Sequence, residues 1–421
     1  MRRGTPLYVI TSNLGGSRVT VERSHIARRT FVAGSSCLGL ALALPAQAQT
    51  RSKIPIRVGG TLPLTGPLAA TGIIHKLAGE AYIESVNKRG GLIGRKVEFT
   101  LLDDQSQAAN TRTLYERLAT ADKVDLLMGP YAQSSIIAAM GVAQRYRKLF
   151  IQSSLGDPSL ATYPLQFPAL PVGADPRIND TEVLLDAYAS TADPPKTIAF
   201  VTSKFPSALF FAKGGQEVAA KRNLKTVLSL EYEFGTREFG GIAARIKDAD
   251  PDLLWSGALA LEAVQLLDAM ARLEYRPRRH FYLFPAPGPT VSHPHAAGLT
   301  SLTWFEEHEP FTRNPGAAEL IALFSERAQA ASLPWPHVDY QAAAEFAAWQ
   351  ILGAAVNAVG HIDDKAMAVW LKGNKVETVL GTRRFDGPYN SGAAETKLKQ
   401  VQDGKWVTVW PPQFRPSGVS F

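Results

Sequence analysis

Cysteine is almost missing from this chain of 421 residues: the single one, Cys37, lies inside a short apolar run near the start. If that run is cleaved off, the remainder has no disulfide, thiolate metal site or cysteine nucleophile, and its stability must come from packing. Other catalytic signatures are missing as well. There is no G-x-S-x-G or H-E-x-x-H, the motifs of a strained nucleophile turn and of a helical zinc site. Gly90-Gly91-Leu92-Ile93-Gly94 precedes a strand and lacks the Lys-Ser/Thr pair of a phosphate loop. The apolar run Phe31–Leu44, about 14 residues, is too short to cross a bilayer core of roughly 30 Å. An excess of one charge is missing from most of the chain. Of the formal +7, residues 1–48 contribute six arginines against Glu22, and the rest holds 39 basic and 37 acidic residues. The body therefore offers no electrostatic case for nucleic acid.

What is present begins with an export signal. Arg28-Arg29-Thr30-Phe31-Val32 leads into the apolar run, which ends in Pro45-Ala46-Gln47-Ala48. The small-residue triplet Ala46-x-Ala48 sets cleavage between Ala48 and Gln49. The paired arginines point to a twin-arginine signal over residues 1–48, with a general secretory signal as the alternative. Gly34-Ser35-Ser36 before Cys37, and apolar residues after it, do not make a lipoprotein box.

From Ile54 onward, strand-like and helix-like segments alternate, which predicts α/β units with parallel strands. Ile56–Leu62 reads as a strand, and Ile73, Leu77 and Ala81 with Ile74, Ala78 and Tyr82 mark one helix face. Strands are expected at Val97–Leu102, Val124–Met128 and Leu149–Gln152, with helices at Ala109–Ala121 and Ser135–Tyr146. Pro164–Asp175, with three prolines, reads as a crossover. The pattern restarts with strands at Thr197–Val201, Thr226–Tyr232, Leu253–Trp255 and His280–Phe284. Between them lie helices at Leu209–Arg222, Phe239–Lys247 and Ala260–Leu273. Pro285–Pro294 reads as a loop, and the chain is expected to return to the first half near Leu302–Phe305. Helices follow near Ala317–Ala331 and Tyr340–Val359, the second interrupted by Glu345, Gln350 and Asn357 and so read as a packing helix. Thr382–Phe385, Lys397–Val401 and Trp406–Trp410 read as short antiparallel strands that cross back.

The ordered segments L-T-G-P-L-A-A-T-G (64–72), N-K-R-G-G-L-I-G-R-K (87–96), L-L-D-D-Q-S (101–106), L-L-M-G-P-Y (126–131), I-A-F-V (198–201) and W-V-T-V-W-P (406–411) resemble the branched-chain amino-acid type, or type I, periplasmic binding proteins of ABC importers. The resemblance covers nearly all of residues 53–412. It implies an α/β fold of two Rossmann-like lobes joined by several crossovers. Residues 53–170 plus 303–382 would form lobe 1, and 171–302 plus 383–412 lobe 2. It also implies a periplasmic receptor that catalyses nothing, needs no cofactor or metal, works as a monomer and delivers a small molecule to permease subunits in the inner membrane. A ligand sensor of the same fold that regulates a signalling partner is the alternative.

In open α/β sheets, ligands bind beyond the carboxyl ends of the strands. Three first-lobe loops meet that description: Thr65-Gly66-Pro67 to Gly72, Gly129–Ser135, and Ser153–Asp157 before Pro158. Each offers hydroxyls and helix N-termini suited to a carboxylate, although Ser134, Ser135 and Asp157 read equally well as helix caps. The family holds the ligand carboxylate with a serine after the third strand and with groups after the fourth. By that resemblance Gln133 takes the serine's place beside Tyr131 and Ser134, Ser154 and Gly156 take the fourth-strand positions, and Thr71 stands where a ligand-facing tyrosine occurs. The ammonium-holding half departs from the family. Leu259 and Ser207 replace tyrosines, and Pro285 falls where the acid is expected, leaving Glu262 as the acid that could restore the site. Phe205, Leu259, Phe284 and Trp304 would line this half with apolar surface. The expected ligand is therefore a carboxylate or amide with an apolar or aromatic body, since a buried ammonium without a counter-charge costs several kcal/mol. Asp103-Asp104 reads as loop hydrogen bonding, and His293-Pro294-His295 with Glu306–Glu309 as solvated loop rather than metal ligands.

Overall fold

The computed structural model describes residues 54–421. The predicted export signal, its cleavage point and Cys37 lie outside the described residues. Five short strands form the first sheet: β1 (Ile56–Leu62), β2 (Val97–Asp103), β3 (Leu126–Met128), β4 (Phe150–Gln152) and β5 (Gln166–Pro168). Their order is β2-β1-β3-β4-β5 and every pairing is parallel. The crossovers are α1 (Ala69–Lys88), α2 (Ala108–Thr120) and α3 (Gln133–Tyr146). As its spacing predicts, α1 buries Leu77, Ala78, Ala81 and Tyr82. β5 corrects the sequence reading, which treated its residues as crossover. Its proline is tolerated because the strand lies at the sheet edge.

The chain then enters α4 (Pro176–Ala189), a helix the sequence reading missed although Asp175-Pro176 is a good start signal. The second sheet has the order β14-β13-β10-β9-β8-β6-β7. Its parallel part is β6 (Thr197–Ser203), β7 (Lys225–Tyr232), β8 (Leu253–Ala260), β9 (His280–Pro285) and β10 (Leu299–Thr303). These are connected through α5 (Pro206–Lys221), α6 (Gly240–Ala249), α7 (Glu262–Arg272) and α8 (Pro287–Val291). α8 occupies part of the expected Pro285–Pro294 loop, and β10 belongs to this sheet rather than marking a return to the first.

Beyond β10 come α9 (Ala317–Ala330), α10 (Tyr340–Val359) and α11 (Asp364–Gly373), then the hairpin of β11 (Val376–Thr378) and β12 (Gly381–Arg383). β12 pairs only with β11, which corrects the expectation that Thr382–Phe385 crosses back with the last strands. β13 (Lys397–Gln402) and β14 (Lys405–Trp410) do so, adding antiparallel to β10. α10 is long and apolar enough to span a membrane, but most of it is buried and it packs along α1. Crossing segments bridge the two sheets. Val172 pairs antiparallel with Ala394, and the Glu395 N–H donates to the Pro171 carbonyl at 2.9 Å.

Candidate functional site

The carboxyl ends of both sheets open onto one cleft. From the first sheet come Leu68, Thr71 and Ile74 after β1, Tyr131 to Gln133 after β3, and Ser154 to Gly156 after β4. From the second come Phe205, Ser207 and Phe211 at the start of α5, Leu259 and Ala260 closing β8, Phe284 to Pro287 closing β9, and Trp304 after β10. The first turn of α10 adds Asp339, Tyr340 and Gln341. The space open to water centres is about 70 Å³, several times the roughly 10–15 Å³ that one water needs and suited to a small molecule.

Nine of the ten residues named from sequence line this cleft: Thr71, Tyr131, Gln133, Ser154, Gly156, Phe205, Ser207, Leu259 and Trp304. Ser134 does not. It is exposed on the outer side of α3, so the structure removes it from the lining. The Thr65-Gly66-Pro67 edge is also corrected, because this loop is exposed and its donors are occupied. Asp103 accepts from the Leu64, Thr65 and Gln105 N–H groups and, at 2.7 Å, from the Thr65 hydroxyl. Burial alone would raise the pKa of Asp103, but these hydrogen bonds hold it below its ordinary value. Asp103 and Asp104 thus tie loops together as expected, Asp104 accepting from the Thr61 hydroxyl at 2.8 Å.

Local geometry sets the polar groups of the first wall. Ala132 precedes α3 at φ 76° and ψ 141°, a region that side chains other than glycine rarely adopt and that marks strain beside the cleft. No side chain caps α3; the Ser135 hydroxyl instead meets that of Thr111 at 3.0 Å. The Gln133 Oε1 accepts the Asp157 N–H at 3.0 Å, which locks the amide across the two loops, while Asp157 caps its own short helix through the Ser159 N–H. Gln152 Oε1 takes the Ser154 and Leu155 N–H groups at 3.1 and 2.9 Å. The Tyr131 phenol has Thr71 as its side-chain partner, and burial pushes its pKa up to about 12.

The second wall is apolar. Phe211, Phe284, Tyr340 and Trp304 form a chain of rings with successive centroids 5.5, 6.3 and 5.1 Å apart. A bulge between Ser256 and Leu259 shifts the register of β8 on β9 where Leu259 enters the lining. The walls meet at Gly156, where an added Cβ would lie 3.3 Å from Ser207 Cβ and 3.4 Å from Phe211 Cε2. A side chain at 156 would press on both walls and on Gln133 Oε1, 3.4 Å away.

Two polar atoms of the lining stand out. Ser154 Oγ and Trp304 Nε1 are buried and have no hydrogen-bond partner. An indole N–H can only donate, so it calls for an acceptor. Glu262, the acid left over from the sequence reading, is not in the lining. It is engaged by the Gly235 and Leu259 N–H groups at 2.9 and 3.2 Å and by the Tyr232 hydroxyl at 3.3 Å. The acid that does reach the cleft is Asp339, which sequence reasoning missed although an Asp before an apolar helix is a visible N-cap signal. Its Oδ1 accepts the Ala342 N–H at 3.0 Å.

Behind the first wall lies a second polar cluster that the sequence did not reveal. Glu345 accepts from the Ser153 hydroxyl at 3.0 Å and from the Trp349 indole at 2.8 Å, and meets His75 Nδ1 at 3.1 Å. His75 Nε2 touches Gln341 Oε1 at 3.2 Å, and the His75 ring lies 4.9 Å from that of Tyr131. The cluster therefore supports two residues of the lining. The histidine motifs lie elsewhere: His293 pairs with Asp268, and His308 with Glu309 and Thr408. Among the described residues no group of three or more metal-ligating side chains forms.

A model of the periplasmic binding protein family matches residues 55–405. The Leu/Ile/Val-binding protein homolog 1 of Brucella melitensis is 26% identical over 358 residues, which cover 83% of this chain and 92% of the relative. A solute-binding protein of an ABC transporter from R. palustris, solved in complex with benzoate, superposes with a TM-score of 0.71 at 20% identity. That match covers 84% of this chain and 95% of the other. The branched-chain amino acid transporter substrate-binding protein of Streptococcus pneumoniae, solved with isoleucine, gives 0.72 at 17% identity, over 85% and 100%. At these identities the structural likeness is one of fold.

Proposed function

Because the chain belongs to the periplasmic binding protein family, whose model spans residues 55–405, we propose that it is the extracytoplasmic receptor of an ABC importer for a small carboxylate or amide with an apolar or aromatic body. Binding of a solute for an ABC transporter, not catalysis, is the role of the family. The finer reading has four parts. The chain is exported to the periplasm. Residues 53–170 plus 303–382 move as one lobe, and 171–302 plus 383–412 as the other. The ligand draws the lobes together as a hinge, and the closed monomer docks on permease subunits in the inner membrane.

The observation that carries the ligand class is the pair of unpartnered polar atoms in the lining, Ser154 Oγ and Trp304 Nε1, set against an aromatic wall. Both can donate to a carboxylate or amide oxygen, and the rings bury the rest of the molecule. Among the described residues no lysine or arginine lines the cleft, so hydrogen bonds rather than an ion pair would hold the anion. The benzoate-bound neighbour from R. palustris supports an aromatic acid, and the isoleucine-bound one supports an amino-acid-like molecule.

A thermal-shift screen of the exported protein against amino acids, amides, urea and aromatic carboxylates tests this reading. A micromolar ligand at millimolar concentration stabilises by about 4 kcal/mol. Aromatic or aliphatic carboxylates are expected to shift the melting temperature, and no response from any carboxylate or amide would overturn the ligand class. With the best ligand, Trp304→Phe keeps the ring packing and removes the donor. It is expected to weaken binding about tenfold or more by titration calorimetry, the usual effect of losing a hydrogen bond to a charged group. Gln133→Ala is expected to weaken binding and, by freeing the Asp157 N–H, to lower the melting temperature of the free protein by a few degrees without unfolding it, and unchanged affinity would remove Gln133 from the site.

A further inference from the structure

Asp339 is the only Asp, Glu, Lys, Arg or His in the cleft lining among the described residues. It is 4% exposed, and its Oδ1 accepts the Ala342 N–H as the cap of α10. The other buried acids around it are far better satisfied. Glu345 has three partners and Glu262 has three. Lys399, the cation whose charge Asp339 feels, is 2.9 Å from Glu306 instead. A carboxylate this enclosed and without an ion pair gains from a further donor placed against it.

The position of Asp339 adds a second, independent observation. Asp339 and Pro287 line both the cleft and an adjoining hollow of about 410 Å³. That hollow is also lined by Trp335, His337, Lys399 and Trp406. Asp339 thus stands between the cleft and this hollow.

We infer that Asp339 is the specificity-determining residue of the cleft, selecting carboxylate ligands that carry a second polar group with an N–H or O–H donor. The inference rests on the proposed reading of the cleft as a carboxylate or amide site. A hydroxyl, amide or amine on the ligand donates to the Asp339 carboxylate, and a ligand without one offers it nothing. Burial raises the pKa of Asp339, with Lys399, the Ala342 N–H and His75 offsetting part of that and Glu306 adding to it. Unlike the amine-holding acid that the sequence comparison placed near Pro285, this one comes from the first turn of α10.

Two probe pairs differ mainly by the donor: 4-hydroxybenzoate against benzoate, and leucine against 4-methylpentanoate. Titration calorimetry on the wild-type exported protein is expected to show at least one donor-bearing member binding about tenfold or more tighter than its partner, as a charge-assisted hydrogen bond allows. Asp339→Asn and Asp339→Ser both retain an N-cap for α10, and thermal melts of the free variants check the fold. Both are expected to lower the preference for the donor-bearing ligand over its partner by about tenfold. If the pairs bind wild type without preference, or if both variants keep the wild-type preference, Asp339 does not select the ligand and this inference fails while the carboxylate reading stands. If none of the four probes binds wild type, the carboxylate reading fails and takes this inference with it.

Discussion

Glu345→Leu is expected to lower the unfolding free energy by about 3–5 kcal/mol, the usual cost of removing one partner from a buried charged network. Glu345 is 2% exposed, and its carboxylate is the shared acceptor for the Ser153 hydroxyl and the Trp349 indole and the neighbour of His75 Nδ1. Leucine fills much of the volume but accepts nothing. Each polar group it strands costs about 1–3 kcal/mol of desolvation that is no longer repaid. Glu345→Gln keeps one acceptor oxygen and is expected to lose less than half as much. Guanidinium unfolding at fixed pH measures both, and a midpoint for Glu345→Leu within error of wild type would show that the cluster does not contribute. The same variant reports on function. His75 touches Gln341 and lies against Tyr131, both in the cleft lining. The loss of Glu345 is therefore expected to weaken ligand binding as well, although Glu345 is not in the cleft.

That cluster also shows where the sequence stopped being legible. Glu345 read only as a break in an apolar helix, because no periodicity indicates that His75, 270 positions earlier in the chain, will face it. The parallel α/β order was visible because buried parallel strands are continuous apolar runs, as in Ile198–Val201 and Leu253–Trp255. β5 was not, because three residues ending in proline carry no strand signal and only their place at the sheet edge makes them one. Positions at or just beyond the ends of β1, β3, β4, β6, β8 and β10 gave nine residues of the lining, since the rule for open sheets needs only the strand ends. It does not reach Asp339, whose helix belongs to neither sheet and enters the cleft by its first turn alone. Ser134 failed for a simpler reason: one position along a helix turns a side chain by about 100°, from the cleft to solvent.

Asp180→Asn is expected to stabilise the protein at pH 8 by about 2–4 kcal/mol and to have little effect near pH 4. Asp180 lies in α4, 2% exposed. Its Oδ1 accepts the Thr396 hydroxyl at 2.6 Å, whereas Oδ2 is buried without a partner. Burial raises its pKa from 3.8 to about 7, and the Thr396 bond offsets only part of that. The folded protein therefore keeps the proton up to about pH 7, whereas the unfolded chain releases it near pH 4. Unfolding releases a proton throughout that window, so wild-type stability falls as pH rises from about 4 to 7 and then levels off. At about 1.36 kcal/mol per pH unit the whole fall is on the order of 4 kcal/mol. Asparagine imitates the protonated acid at every pH, so the gap between variant and wild type should open across the same window. Urea unfolding of both proteins from pH 4.5 to 8.5 measures it, and parallel stability curves would refute the assignment. The location links this group to the proposed motion. Thr396 directly follows the 394–395 segment that pairs with Pro171 and Val172 between the sheets, so Asp180 anchors α4 to the crossover about which the lobes would turn. Ionisation buries an unpaired charge at this joint, so ligand affinity in wild type is expected to change across the same pH window while that of Asp180→Asn stays level.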